Sequence, residues 1–281
     1  MKKWLLILLV FGVLLVSVNG IAVATNGAVI GYSVQSDGDD QLYRIDLTTG
    51  VATAIGPVGF NDTEGLTFHP FSGVLYGIDD DTDQLITIDV ETGAGTAVGP
   101  LNVLFTDMGL TFDRDLNLWM STDIPEDFYA IDSNTGAATA IGNQGQDVTG
   151  LAAAADGTIY GLGGDHTNNT VTINTVTGVA TPVGLLVNVD VADGGIDFDA
   201  AGTLWGLEDQ GTIFTINLLT GEATVVATTA TGFEGLAIPH APSVGGEILS
   251  ANTLTLILPY MLLIAAAIAG TTGILLKKNQ G

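Results

Sequence analysis

The sequence predicts an all-β chain folded as a five-bladed β-propeller of four-stranded blades, with the ring closed by its C-terminal strand. Three observations carry this. One eight-residue phrase is written five times, as TGVATAIG (Thr49–Gly56), TGAGTAVG (Thr92–Gly99), TGAATAIG (Thr135–Gly142), TGVATPVG (Thr177–Gly184) and TGEATVVA (Thr220–Ala227), at intervals of 42 or 43 residues. Three other short runs recur in phase with it, and about 43 residues in four strands is the period of a propeller blade. The end copies are incomplete in complementary ways. The first copy begins at its second strand (AVIGYS, Ala28–Ser33), and an orphan first strand (GLAI, Gly235–Ile238) follows the last copy. If the orphan completes the first blade, strand pairing joins the two ends; an open solenoid is the alternative, and the split copies argue against it.

Within a repeat the strands are A to D. Strand A is GLTF at Gly65 and Gly109, GLAA at Gly150, GIDF at Gly195 and GLAI at Gly235. Strand B is VLYG at Val74, LWMS at Leu118, TIYG at Thr158 and TLWG at Thr203, and strand C is LYRID, LITID, FYAID, TVTIN and IFTIN. Each run is short, rich in β-branched and aromatic residues, and bounded by Gly, Asp, Asn or Pro. Strand C alternates, with Tyr43/Ile45, Ile86/Ile88, Tyr129/Ile131, Val171/Ile173 and Phe214/Ile216 on one face. Strand D is the repeated phrase, and Pro182 within it suits an outer edge. Asp46, Asp89, Asp132, Asn174 and Asn217 each stand four residues before the Gly of a Thr-Gly pair. A short side-chain acceptor followed by a glycine able to take positive φ is a tight C–D hairpin with a bulge, so these residues read as turn caps.

The ends predict a membrane-tethered surface protein. Residues 1–24 read as a signal peptide: two lysines, an apolar run and Ala22-Val23-Ala24 before a cleavage at Thr25. Uncleaved, the same segment would be an anchor. The propeller follows over 25–238 and a linker over 239–253. Leu254–Leu276 is an uncharged stretch of 23 residues, followed by Lys277-Lys278 in a predicted cytoplasmic tail, 277–281. The chain has no cysteine, so the exterior domain relies on packing alone.

All 31 acidic residues lie between Asp37 and Glu247, where Arg44 and Arg114 are the only bases, leaving −29 on that stretch. This argues against nucleic acid, whose phosphates need a basic footprint, and leaves cations, cationic partners or solubility in a salty medium. Most of the acids fall in the B–C and D–A loops, which vary in length and sequence and share one face; loops on a rigid scaffold carry function.

The repeats resemble those of the YVTN, PQQ-like and WD40-like superfamily of propellers, and a secreted propeller family with L-Y-x-I-(D/N)-x-x-T-G-x-A-T repeats, over Ala28 to about Pro239. The resemblance implies the fold and leaves activity open, since such propellers serve as adhesins, lyases, scaffolds and dehydrogenases. The tryptophan-docking motif of the PQQ enzymes is not matched. The tail is similar to C-terminal anchors of archaeal surface proteins.

Two acidic groups are candidate sites. Glu64, Asp107, Asp147, Asp193 and Glu234 stand just before the five A strands, the innermost of each blade, where a ring at the channel mouth would bind Ca²⁺ or supply the paired carboxylates of a glycosidase. Their distance from the following Gly varies from one to three residues, which argues against a regular ring and for solvation or turn capping. Asp79, Asp81 and Asp83 alternate like a calcium loop but lack its spaced glycine and bidentate Glu. Asp197 replaces a Thr or Ala inside strand A, so it is either channel-facing or paired. His69, His166 and His240 are isolated and read as no ligand set. Asn61 and Asn168 open glycosylation sequons in loops of the variable face. Binding or adhesion to an extracellular protein or glycan is the first expectation; an extracellular hydrolase or lyase, or a structural envelope protein with acidity as salt adaptation, are the alternatives.

Overall fold

The computed structural model describes residues 27–36, 38–164 and 167–239. The predicted leader, membrane span and cytoplasmic tail lie outside the described residues, as do Asp37, Asp165, His166 and His240. Among the described residues no helix is long and apolar enough to cross a membrane, and the regular elements are twenty strands in five antiparallel sheets.

Blade 1 is β1 (Ile30–Val34), β2 (Gln41–Asp46) and β3 (Val51–Pro57), completed on its inner side by β20 (Glu234–Ala237). Blade 2 is β4 (Thr63–Phe68), β5 (Leu75–Asp79), β6 (Gln84–Ile88) and β7 (Gly95–Pro100). Blade 3 is β8 (Met108–Phe112), β9 (Leu118–Thr122), β10 (Asp127–Ile131) and β11 (Ala138–Asn143). Blade 4 is β12 (Gly150–Ala153), β13 (Ile159–Leu162), β14 (Asn169–Ile173) and β15 (Ala180–Leu185). Blade 5 is β16 (Gly194–Phe198), β17 (Leu204–Glu208), β18 (Thr212–Ile216) and β19 (Ala223–Thr228). The predicted closure is therefore present: the last strand pairs with β1. Ser33 reinforces it, its hydroxyl donating to the carbonyl of Gly235 at 2.7 Å.

The apolar side chains do not gather into one core. They form five clusters, each sandwiched between two neighbouring blades. This follows from the alternation: both faces of a blade are covered by neighbours, so each strand buries side chains on both sides. The closing interface is equivalent to the others, with Trp205, Leu207 and Ile213 of blade 5 packed on Ile45, Leu47, Leu236 and Ile238.

The turn chemistry follows the expectation. Asp89 Oδ1 accepts from the amides of Glu91 and Thr92, Asn174 Oδ1 from those of Val176 and Thr177, and Asn217 Oδ1 from Leu219. The glycines that follow take φ between 75° and 82°. These amide bonds hold Asp89 and Asp132 below the ordinary carboxylate range. The bulge lies further along than the turn itself. In every blade the C–D register shifts inside the phrase, as where Leu42 faces Gly56 but Tyr43 faces Ala54.

The repeated phrase also joins blades. A Cβ on Gly56, Gly99 or Gly142 would lie 2.3 Å from the carbonyl oxygen of Thr92, Thr135 or Thr177, the threonine of the next blade's turn. The glycine that ends each of the first four phrases thus lets the following Thr-Gly turn sit directly on its backbone, and the phrase recurs because those blade junctions use it. Gly50 repeats the contact across the closure, against the carbonyl of Thr228. A second glycine set does the same at the axis. A Cβ on Gly195 would lie 2.1 Å from the amide nitrogen of Leu236, and one on Gly109 would lie 2.6 Å from Leu151 N. The five A strands therefore meet backbone to backbone, leaving an axial void of about 10 Å³ lined by these glycines and the leucines or isoleucine beside them, room for about one water.

Asp197 is paired. Its carboxylate accepts from the amides of Phe198 at 2.8 Å and Ile238 at 2.7 Å, tying blade 5 to the closing strand. Thr67, in the matching position of blade 2, accepts from Phe112 N of blade 3 at 3.2 Å.

Candidate functional site

Strand direction places the B–C loops and the segments before the A strands at one end of the axis. They are linked by backbone: Asp80 N donates to Asp62 O, Asp123 N to Asp107 O and Asp209 N to Asp193 O, each at 3.0 or 3.1 Å. Acids thereby converge on the channel mouth from blades 2, 3 and 5.

The spacing that argued against a ring has a structural explanation. In β16 the register is regular, and Asp193, two residues before Gly195, shares that residue's side of the strand. In β4 and β20 the register slips at the glycine. Residues 65 and 66 oppose Gly77 alone, and residues 235 and 236 oppose Ser33 alone. Gly65 and Gly235 take φ of 50° and 69° there, which glycine accommodates. A bulge puts two consecutive side chains on one side and re-aims the strand, so Glu64 and Glu234, one residue before their glycines, stand opposite Ile78 and Val34, where blade 5 has Gly195 opposite Leu207.

The result is a tight acidic centre. Carboxylate oxygens of Glu64, Asp107 and Asp193 lie within 4.8 Å of one another, and so do those of Asp62, Glu64 and Asp80. Glu64 is only 4% exposed, and its Oε2 is buried with no hydrogen bond. The Oδ2 of Asp193 is buried and unbonded as well, while its Oδ1 accepts from Gly194 N at 2.6 Å. Glu234, also buried, accepts a short hydrogen bond from Ser36 Oγ. Burial, then the charges of Asp193, Glu234, Asp107 and Asp62, push the Glu64 carboxyl well above its usual range. Burial, then Glu234 and Asp107, do the same to Asp193. Asp80 is pushed up to about 7 by burial and then by Asp62, Asp107 and Asp83. Among the described residues an ion pair joins Arg114 to its neighbour Asp115.

The other predicted acids are placed elsewhere. Asp147 is buried and accepts from Thr167 Oγ1 at 3.0 Å; it lies three residues before Gly150, and Gly164 stands in blade 4 where blades 2, 3 and 5 carry Asp80, Asp123 and Asp209. Asp79 is buried at the end of β5, its Oδ2 accepting from Gln84 at 3.2 Å and from Thr82. Asp81 is exposed, 3.4 Å from Asn61 Nδ2, and Asp83 takes φ of 50° in the turn. Asp79, Asp81 and Asp83 form no group with three oxygens in mutual reach; from that loop it is Asp80 that does. The chain's own signal for Asp80 is the column of acids directly after strand B, Asp80, Asp123 and Asp209, and not the alternation within one loop. Asp62 carried no such signal, because its position depends on the bulge.

His69 is a turn acceptor, its Nδ1 taking the amides of Phe71 and Ser72. Asn168 departs from the expected accessibility. It is half-buried, its Nδ2 donates to Val189 O at 2.9 Å and its Oδ1 accepts from Val191 N. The nitrogen a glycan would occupy is engaged there, whereas Asn61 is exposed.

Among solved structures the chain is similar to a protein of unknown function from Bacteroides thetaiotaomicron, at 18% identity and TM-score 0.49, over 63% of this chain and 53% of that one. It thus spans about half the length of that protein. It is also similar to a chain of a nidogen/laminin complex, at 11% identity and TM-score 0.50 over 75% of this chain and 85% of that one. A third likeness is to a gluconolactonase from Xanthomonas campestris, at 13% identity and TM-score 0.47 over 74% and 79%. At such identities a likeness is one of fold alone. No protein-family model matches the chain, and no curated relative does.

Proposed function

We propose that the chain is a cell-surface binding module, tethered to the membrane by its C-terminal segment, whose acidic channel mouth works around a bound divalent cation, Ca²⁺ foremost. One observation carries the reading: Glu64, Asp107 and Asp193 bring three carboxylate oxygens within 4.8 Å, and the Glu64 Oε2 is buried with no hydrogen bond. An ion about 2.4 Å from two oxygens holds them no more than about 4.8 Å apart, and Ca²⁺ takes six to eight oxygens in flexible geometry. Burying a charged carboxylate such as Glu64 is costly unless its charge is met, and a cation beside it would meet it. The ion would fix the mouth and the variable loops around it for an extracellular protein or glycan, and the uncharged stretch before Lys277 would hold that face outside the cell.

Thermal unfolding of the purified chain in excess Ca²⁺ against EDTA, with Mg²⁺ as control at matched ionic strength, tests this. Ligand at 100 times Kd adds about 2.7 kcal/mol to the folded form, a rise of a few degrees for this size. A Ca²⁺-selective rise is expected. No rise, or an equal one with Mg²⁺, leaves the acids as solvating charge and favours a structural envelope role.

A second reading, an extracellular hydrolase or lyase, draws on the burial of Glu64 among other carboxylates, the setting in which a carboxyl stays protonated to act as a general acid. Turnover of a glycoside or lactone library that Glu64→Gln abolishes would favour it over binding alone.

A further inference from the structure

Glu64 belongs to two groups of carboxylates. One is with Asp107 and Asp193, the other with Asp62 and Asp80. We propose that the channel mouth holds two divalent cations, an inner one seated by Glu64, Asp107 and Asp193 and an outer one by Asp62, Glu64 and Asp80, with the Glu64 carboxylate bridging them. This rests on the single-cation reading above and extends it.

Three features carry the extension. Each triad separately meets the distance condition for one hard cation, all its oxygens lying within 4.8 Å. A carboxylate shared by both ions needs lone pairs open to each, and the Glu64 Oε2 is buried without a hydrogen bond on a side chain 4% exposed. Charge points the same way. The two triads bring the carboxylates of Asp62, Glu64, Asp80, Asp107 and Asp193 together at the mouth, and a cation in each triad would sit among three of them. Ions about 3.5–4 Å apart with a bridging carboxylate are an established arrangement for such a cluster. Asp62, Asp80, Asp107 and Asp193 are less buried than Glu64, so the ions would keep open positions for water or for an oxygen donor of a bound partner.

The test is stoichiometry. The metal-free chain is titrated with Ca²⁺ by calorimetry at matched ionic strength, and with Mn²⁺ followed by electron paramagnetic resonance. Two equivalents and the spectrum of a magnetically coupled Mn²⁺ pair are expected. Asp80→Asn should leave one equivalent and an uncoupled signal, Asp193→Asn should weaken the inner ion at least tenfold, and Glu64→Gln should weaken both. Each variant must still unfold cooperatively in EDTA, which separates lost binding from lost folding; the wild-type count and coupling decide the question without any variant. One equivalent with no coupling overturns the pair and leaves the single-cation site standing. No binding overturns both.

Discussion

Glu64 sits where a carboxylate is least welcome in the metal-free chain and most useful in the loaded one. Its burial beside Asp193, Glu234 and Asp107 disfavours its charge. Replacing it with Gln removes that charge at nearly constant shape, so Glu64→Gln should melt higher than wild type in EDTA and lose the rise that Ca²⁺ gives the wild type. A loss of stability in EDTA with the Ca²⁺ response intact would contradict the assignment; differential scanning fluorimetry reads both. The same residues set a pH dependence. Glu64, Asp193 and Asp80 all have folded-state values above those of the unfolded chain. Such groups stabilise the folded state fully below their unfolded values, and the contribution disappears as pH rises through the folded value, about 7 for Asp80. Turn caps such as Asp89 and Asp132 shift the other way, but their contribution is lost only at lower pH, as it falls through their folded values. Metal-free protein should therefore melt higher at about pH 5 than at about pH 8, and saturating Ca²⁺ should flatten the difference. A metal-free melting temperature that climbs over that interval would count against the centre.

At the scale of the element, glycines decide more than propensity does. The A strands can meet at the axis only without side chains between them. Gly195→Ala puts a Cβ 2.1 Å from Leu236 N, against backbone that cannot step aside. The expected cost is about 3 kcal/mol or more, at the upper end for overpacking, measured by denaturant unfolding; a loss under about 1 kcal/mol would mean that the ring is looser than described. Strands and hairpins were legible from the sequence because their causes are local: alternation in strand C, an Asp or Asn four residues before a glycine, Pro182 at an edge. The site was legible only in part. Glu64, Asp107, Asp193 and Glu234 stood out as acids before strand A, but their uneven spacing concealed that the bulge at Gly65 lets Glu64 meet Asp107 and Asp193 at the mouth. Asp80 was hidden by its neighbours: Asp79, Asp81 and Asp83 carry the alternating look, while backbone pairing with Asp62 places Asp80 at the mouth.

For the whole molecule, closure is what a five-fold repeat requires and what an isolated blade cannot supply. The blade 5–blade 1 junction uses the β-pairing of β1 with β20, an apolar interface and the bond from Ile238 N to the Asp197 carboxylate. Hydrogen bonds to a buried charge contribute about 1.5–3 kcal/mol each, so Asp197→Ala should cost several kcal/mol and broaden unfolding as blade 1 frees itself; hydrogen exchange should show β1 and β20 losing protection first. Protection lost evenly across all blades would contradict that role. The ring in turn creates the acidic centre, because no single blade supplies the three acids of the inner group: Glu64 comes from blade 2, Asp107 from the approach to blade 3 and Asp193 from the approach to blade 5. The most direct measurement is a crystal structure grown in Ca²⁺ with anomalous data collected at long wavelength. An anomalous peak between Glu64, Asp107 and Asp193, with carboxylate oxygens about 2.3–2.6 Å away, is the predicted result. Carboxylates bonded only to water or to one another, with no peak at the mouth, would contradict it.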